Sequence, residues 1–183
     1  MNPPQNEMLL IIARHLVEVT TELFAAYGME VIQIQSDAGD RLGPPDRESI
    51  VATIGYVGEK FRGALVLAAR RTAVESWLAA MGENPETTDV SDTLGEFSNM
   101  LLGGMKSRLA AQGLPILLST PTTASGHGLS LAVPSSPSLW IAFQGPSWRV
   151  DVCVAAMFEP GFRLQEAPVA REAAMDAGEL LLF

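Results

Sequence analysis

Asp89-Val90-Ser91-Asp92-Thr93-Leu94-Gly95-Glu96-Phe97-Ser98-Asn99-Met100-Leu101-Leu102-Gly103-Gly104 is the stretch on which the reading of this chain turns. Continued to Ala110, it predicts a helix over residues 89–110. Val90, Leu94, Phe97 and Leu101 recur at three- and four-residue spacing and line one face, whereas Asp92, Glu96 and Asn99, at i, i+4 and i+7, share a stripe on another. A carboxylate and a carboxamide one turn apart on a stiff support can hold a water molecule and a charged partner group at fixed positions. Two glycines interrupt the same helix, each costing on the order of 1 kcal/mol relative to alanine, which calls for something that must come close. Gly103 projects on the polar stripe, where a partner's backbone would approach. Gly104 lies toward the apolar side, where it would allow tight packing on a sheet. Gly113 and Pro115 mark the helix end.

Working outward, residues 7–27 carry Leu9, Ile12, Leu16, Val19 and Leu23 at helical spacing, and Gly28 stands where a C-cap would stop them. Residues 31–34 read as a short strand, followed by a Gly, Asp and Pro-rich surface loop over 37–45. Residues 49–57 and 61–69 are β-branched or apolar runs joined by Gly58-Glu59-Lys60, a hairpin connection. Thr72 with Glu75 three residues later forms a capping box for a helix to about Met81. After the polar-stripe helix, strand-like pieces are expected at 116–120, 129–133, 139–143 and 148–158, separated by Gly126, Gly128, Pro134, Pro137 and Gly145-Pro146. Pro121 would present a rigid corner near the polar stripe. Two long helices and a shorter one with an antiparallel run give an α+β fold, the helices packed on a mainly antiparallel sheet.

The chain has 183 residues, 48% hydrophobic and 18% charged, enough for one domain with a substantial core. That domain is expected over 1–158, with 159–183 as a C-terminal tail, either a flexible docking segment or a piece packed on its own domain. A formal charge of -9 with only 12 Lys and Arg argues against nucleic acid as partner, since neutralising phosphates needs a concentrated basic surface. No run reaches the length of a bilayer span and no basic segment precedes the apolar residues 8–12, so a cytoplasmic protein without membrane insertion is expected. Cys153 stands alone in an apolar run, the setting of a small buried hydrophobe.

His15, His127 and Cys153 are far apart and on different elements, so no metal site is expected in this chain. His15 reads as an ordinary helix histidine and His127, between Gly126 and Gly128, as a turn residue. No Gly-x-Ser-x-Gly elbow or phosphate-binding Gly-x-x-x-x-Gly-Lys-Ser/Thr loop occurs. The Ser/Thr-rich residues 119–125 offer hydroxyls, with no histidine placed to activate one.

At the polar stripe the sequence resembles the CheC/CheX-type chemotaxis phosphatases. Their pattern of Asp or Ser, three residues, Glu, two residues, Asn, then about twenty more and Pro is met by Asp92, Glu96, Asn99 and Pro121. Phe61-Arg62-Gly63-Ala64-Leu65-Val66-Leu67, Trp77-Leu78-Ala79-Ala80-Met81-Gly82, Leu102-Gly103-Gly104 and Gly126-His127-Gly128 also look like parts of that family, so the resemblance covers roughly residues 8–158. It implies hydrolysis of the aspartyl phosphate on a CheY-like response regulator, with Mg2+ bound by the regulator and no cofactor bound by this chain. Asn99 would position the attacking water, since a carboxamide both donates and accepts without a shifted pKa. Glu96 would pair with the regulator's active-site lysine. Asp92, where the family permits Ser, would cap or position the helix start, and Gly103 and Pro121 would shape the docking surface. The asparagines stand at positions 2, 6, 84 and 99, so a second Glu-x-x-Asn copy is excluded and the CheX-like branch is indicated. That branch implies a homodimer through sheet edges, sought in the apolar residues 151–157 near the end of the sheet. The alternative is a non-catalytic module of the same fold that docks a response regulator or a flagellar switch protein.

Overall fold

Two apolar runs within residues 48–70 build the centre of the sheet. In the computed structural model, which describes residues 3–34, 47–129 and 137–163, β2 (Glu48–Gly58) and β3 (Phe61–Arg70) form the expected antiparallel hairpin, in register from Ser49 opposite Arg70 to Val57 opposite Arg62. The remaining elements are α1 (Pro3–Ala26), β1 (Ile32–Ile34), α2 (Arg71–Ala80), α3 (Val90–Ala111), β4 (Ile116–Leu118), β5 (Thr122–His127), β6 (Ser138–Gln144) and β7 (Arg149–Phe158). Among the described residues the sheet runs β1-β6-β7-β3-β2-β4, with β5 also paired to β2, and every pairing is antiparallel. The fold is α+β, three helices on this sheet.

One set of alternate strand residues faces the helices. Ile50, Ala52, Ile54, Leu65, Leu67, Val152 and Val154 are buried with Ile12, Leu16, Trp77, Leu94, Phe97 and Leu101 of the helices in one cluster. The opposite face buries Val51, Val66, Ala68 and Cys153 under Leu129 and Trp140. Because both faces of its central part are covered, β7 reads as a continuous apolar run. It lies between β3 and β6, inside the sheet. Residues 151–157 are therefore no edge for a dimer; their apolar character reflects double burial. The strands at the ends of the order are β1 and β4.

Helix ends follow local chemistry. At α1, Gly28 has φ +71 and donates its N–H to the Ala25 carbonyl at 2.9 Å, while the Met29 N–H reaches the Phe24 carbonyl at 2.9 Å, the paired bonds of a Schellman cap. Gly113, with φ +76, closes α3 in the same way through Ala110 and Leu109. The capping box at Thr72 does not form. Strand β3 passes into α2 without a loop, so Arg70 is the N-cap, with no side-chain cap bond, and Thr72 already lies inside the helix. Glu75 instead sits 3.8 Å from Arg71.

Two further expectations change. Residues 122–127, between the strands expected at 116–120 and 129–133, form a strand of their own, β5, paired with β2 from Glu48 opposite His127 to Thr53 opposite Thr122. Strand β2 is 11 residues long, and β4 occupies only Tyr56 to Gly58 of its edge, so the rest of that backbone remains for β5. The strand expected at 129–133 is not found at Leu129, and its remaining residues lie outside the described ones. Beyond β7, the Phe162 ring stacks on Phe61 at 5.9 Å and on Phe158 at 6.3 Å, and residues 164–183 of the expected tail lie outside the described ones.

Helix α3 is held against α1 at a glycine. A Cβ built on Gly104 would stand 2.5 Å from Val19 Cγ1, so the bare backbone admits α1, and the tight packing is helix on helix and not helix on sheet. Arg108 on α3 then reaches Glu18 and Glu22 of α1 at 2.7 and 2.6 Å. At Gly103 a Cβ would meet nothing within 4 Å. The two neighbours therefore respond oppositely to a methyl group. Gly103→Ala gains roughly 0.5–1 kcal/mol of stability from helix propensity. Gly104→Ala loses about 1–3 kcal/mol to overpacking against Val19 before that gain is counted. Urea unfolding of the two variants beside the parent checks this, and shifts of the same sign would contradict it.

Candidate functional site

Asp89 starts α3. It stands at the N-cap with extended backbone, and its Oδ1 accepts from the N–H groups of Ser91 at 2.8 Å and Asp92 at 3.2 Å. Asp92 is thus a residue whose backbone is capped, not the residue that caps. From this fixed start, Val90, Leu94, Phe97, Leu101 and Met105 are buried against α1, α2 and the sheet. Phe97 sets the rotation most strongly. Its ring lies 5.6 Å from Phe24 of α1 and 5.1 Å from Trp77 of α2, and Trp148 closes the group at 4.8 Å from Phe24 and 5.3 Å from Trp77.

With those residues inward, Asp92, Glu96 and Asn99 are all exposed, and Gly103 continues their stripe. Glu96 and Asn99 are three residues apart, about 4.5 Å along the helix axis. Among the described residues neither side chain has a hydrogen-bonding or ionic partner. Both are therefore available to another molecule, on a support fixed at its start by Asp89 and along its length by the core.

The borders of the stripe are also defined. On one side Gly95 is buried, and a Cβ there would lie 3.3 Å from Thr123 Cγ2 of β5, so β5 runs close beside the helix. Thr123 was not among the residues to which the sequence pointed, because β5 itself was not expected. Pro121 is half-buried at the corner between β4 and β5. There the Ser119 N–H bonds the Gly55 carbonyl at 2.9 Å and the Ser119 hydroxyl accepts from the Gly55 N–H at 2.8 Å, so the corner is pinned to β2. On the other side Arg108 ties α3 to α1, and the Glu22 hydrogen bond, opposed by partial burial, raises its guanidinium above the ordinary value.

The remaining singled-out residues are elsewhere. His15 on α1 is partly buried, with Nε2 at 2.9 Å from Gln112 Nε2. His127 is exposed and ends β5, and Cys153, the single cysteine of the chain, is buried. Among the described residues no group of His, Cys, Asp and Glu is arranged to hold a metal, and no helix is long and apolar enough to cross a membrane.

Comparison with known proteins finds the same fold elsewhere. No curated protein matches the chain in sequence. A CheC-like superfamily protein from Shewanella sp. PV-4 shares the fold at TM-score 0.69 and 22% identity, over 80% of this chain and 97% of its own. A CheX from Vibrio vulnificus does so at TM-score 0.67 and 21% identity, over 80% and 99%. The CheX of the CheX-CheY-BeF3-Mg2+ complex from Borrelia burgdorferi gives TM-score 0.61 at 15% identity, over 79% and 96%. Residues 50–144, more than half of the chain and including the whole polar stripe, match the family described as chemotaxis phosphatase CheX, and the chain belongs to that family.

Proposed function

We propose that this protein hydrolyses the aspartyl phosphate of a CheY-like response regulator, with Asn99 positioning the attacking water and Glu96 pairing with a lysine of the regulator. The observation that carries the reading is the exposed, internally unpartnered pair Glu96 and Asn99, one turn apart on the buried-face-locked α3 of a CheX-family fold. The Borrelia burgdorferi relative was solved with CheY, which supports a partner of that kind.

The chemistry asks little of the chain beyond placement. The water oxygen forms a bond to phosphorus in line with the bond to the aspartyl oxygen, which breaks; the regulator's aspartate leaves as carboxylate and inorganic phosphate carries away both protons of the water. Mg2+ on the regulator neutralises charge on the phosphoryl oxygens. The Asn99 carboxamide accepts from the water through its oxygen and donates to a phosphoryl oxygen through its amide, which aligns the two. The Glu96 carboxylate, facing a lysine, fixes the register of one protein on the other. Asp92 adds negative charge at the start of the stripe, and Pro121 holds β5 beside it. The homodimer implied by the family is placed by this reading at an edge strand, β1, β4 or β5, in a cytoplasmic protein.

Loss of a water-positioning group costs on the order of 100-fold in rate, about 2.7 kcal/mol. Asn99→Ala is expected to show that loss in phosphate release from a phosphorylated regulator while binding persists, and an unchanged rate removes the role. Glu96→Ala is expected to weaken binding and rate together, with much of its contribution vanishing at high ionic strength. A binding titration at low and high salt measures this, and unaltered affinity excludes the pairing. Gly103→Ala, stabilising by itself, is expected to weaken the complex by several-fold because its methyl group stands where the partner's backbone approaches; affinity at the parent value would show that the bare backbone serves no contact.

A further inference from the structure

The polar stripe has an apolar border. Met100 follows Asn99 directly and lies one turn beyond Glu96, 41% exposed, with its sulfur 3.7 Å from the hydroxyl of Tyr27. Tyr27, the residue between α1 and Gly28, is 36% exposed. Its ring lies 5.6 Å from that of Phe97, inclined by 32°, so it rests on the outer side of the aromatic group that locks α3. Tyr27 and Met100 are thus the solvent-facing rim of the core, immediately beside the two groups exposed for chemistry. The hydroxyl is spent on a thioether, a weak acceptor, and this contact fixes the direction of an otherwise flexible methionine.

We propose that Met100 and Tyr27 form an apolar shelf that carries affinity for the phosphorylated receiver domain, beside the polar pair that carries the chemistry. This rests on the reading of Glu96 and Asn99 given above. For Asn99 to reach an acyl phosphate, the receiver must close over about a turn of α3 on either side of it. Met100, at i+1 from Asn99 and i+4 from Glu96, lies under that footprint by helix geometry. An acidic stripe attracts a lysine-bearing surface from a distance but is screened by salt. Covering Met100 and the Tyr27 ring removes apolar surface from water, a contribution that salt does not screen. The partner that fits is a receiver presenting an apolar side chain next to its acyl phosphate and lysine, and the shelf selects among receivers that share the phosphate.

The test uses the full chain with a panel of response regulators, measuring phosphate release over a range of regulator concentrations and affinity for each regulator loaded with beryllofluoride as the phosphoryl mimic. Met100→Ser and Met100→Glu are expected to raise KM and Kd by about 10-fold or more, with kcat changed far less. Met100→Leu, which keeps the apolar contact, is expected to recover most of the affinity lost in Met100→Ser. Tyr27→Phe keeps the ring and removes only the bond to sulfur, so a smaller rise of a few-fold is expected. The loss in Met100→Ser persists at high salt, where the Glu96 contribution has faded. Thermal unfolding of Met100→Ser near the parent temperature separates a lost contact from a lost fold. A wild type active on a regulator while the Ser and Glu variants keep its KM and Kd overturns the shelf and leaves the water-positioning reading standing. A fall in kcat at constant Kd also overturns it, since Met100 would then act in the chemistry. Absence of both binding and phosphate release for the wild type with every regulator overturns the two readings together.

Discussion

The rotation of α3 about its own axis is the constraint on which the site depends. Successive residues are about 100° apart around a helix, so a turn by one position would carry Asn99 into the buried place of Ser98 and Phe97 into the exposed place of Glu96. The Phe97 ring, held among Phe24, Tyr27 and Trp77, prevents this, because expelling an aromatic ring from such a group costs several kcal/mol. Leu94 and Leu101, one turn to either side and almost fully buried, repeat the restraint. The exposed pair is thus placed by apolar residues that are themselves buried.

Axial position and separation are set by smaller features. The Asp89 carboxylate holds the first turn, Gly104 lets Val19 and α1 approach, and Gly95 admits Thr123 and β5 on the opposite flank. The three contacts constrain α3 from its start and from both sides. Gly103 differs from the other two glycines, since its missing side chain relieves no contact within this fold. Its helix-propensity cost is offset by nothing in the described structure.

The parts legible in the sequence are those with a strong local period. Residues 89–110 have both a buried row and a polar row, and α3 was recovered to within one residue, together with the burial of Val90, Leu94, Phe97 and Leu101. The β2–β3 hairpin announced itself through two apolar runs and a short polar connection. Strand β5 gave no such signal. Five of its six residues are exposed, so it has no apolar alternation, and what holds it is backbone pairing to β2, some seventy residues earlier in the chain. The place of β7 was hidden for the opposite reason: with both faces of its central part buried, residues 152–158 are all apolar, which does not distinguish an interior strand from an unpaired one. The Thr72 capping box failed because a local motif was overruled by a longer strand entering the helix directly.

On the proposed reading, a division of labour between two proteins explains why so little of this site looks like an enzyme in sequence. A reaction whose leaving group, phosphoryl group and metal all reside on the partner requires no nucleophile, no metal ligands and no buried titratable group from this chain; it requires two polar atoms at a fixed spacing. A helix supplies that spacing without a cavity. The demand falls instead on rigidity, since a displacement of about 1 Å in a positioning group can cost on the order of 100-fold in rate. The density of restraint behind α3, with a capped first turn, an aromatic lock, bare-backbone contacts at Gly95 and Gly104, and Arg108 bonded to two carboxylates of α1, is what such a site needs, and it lies behind the very face that presents Glu96 and Asn99.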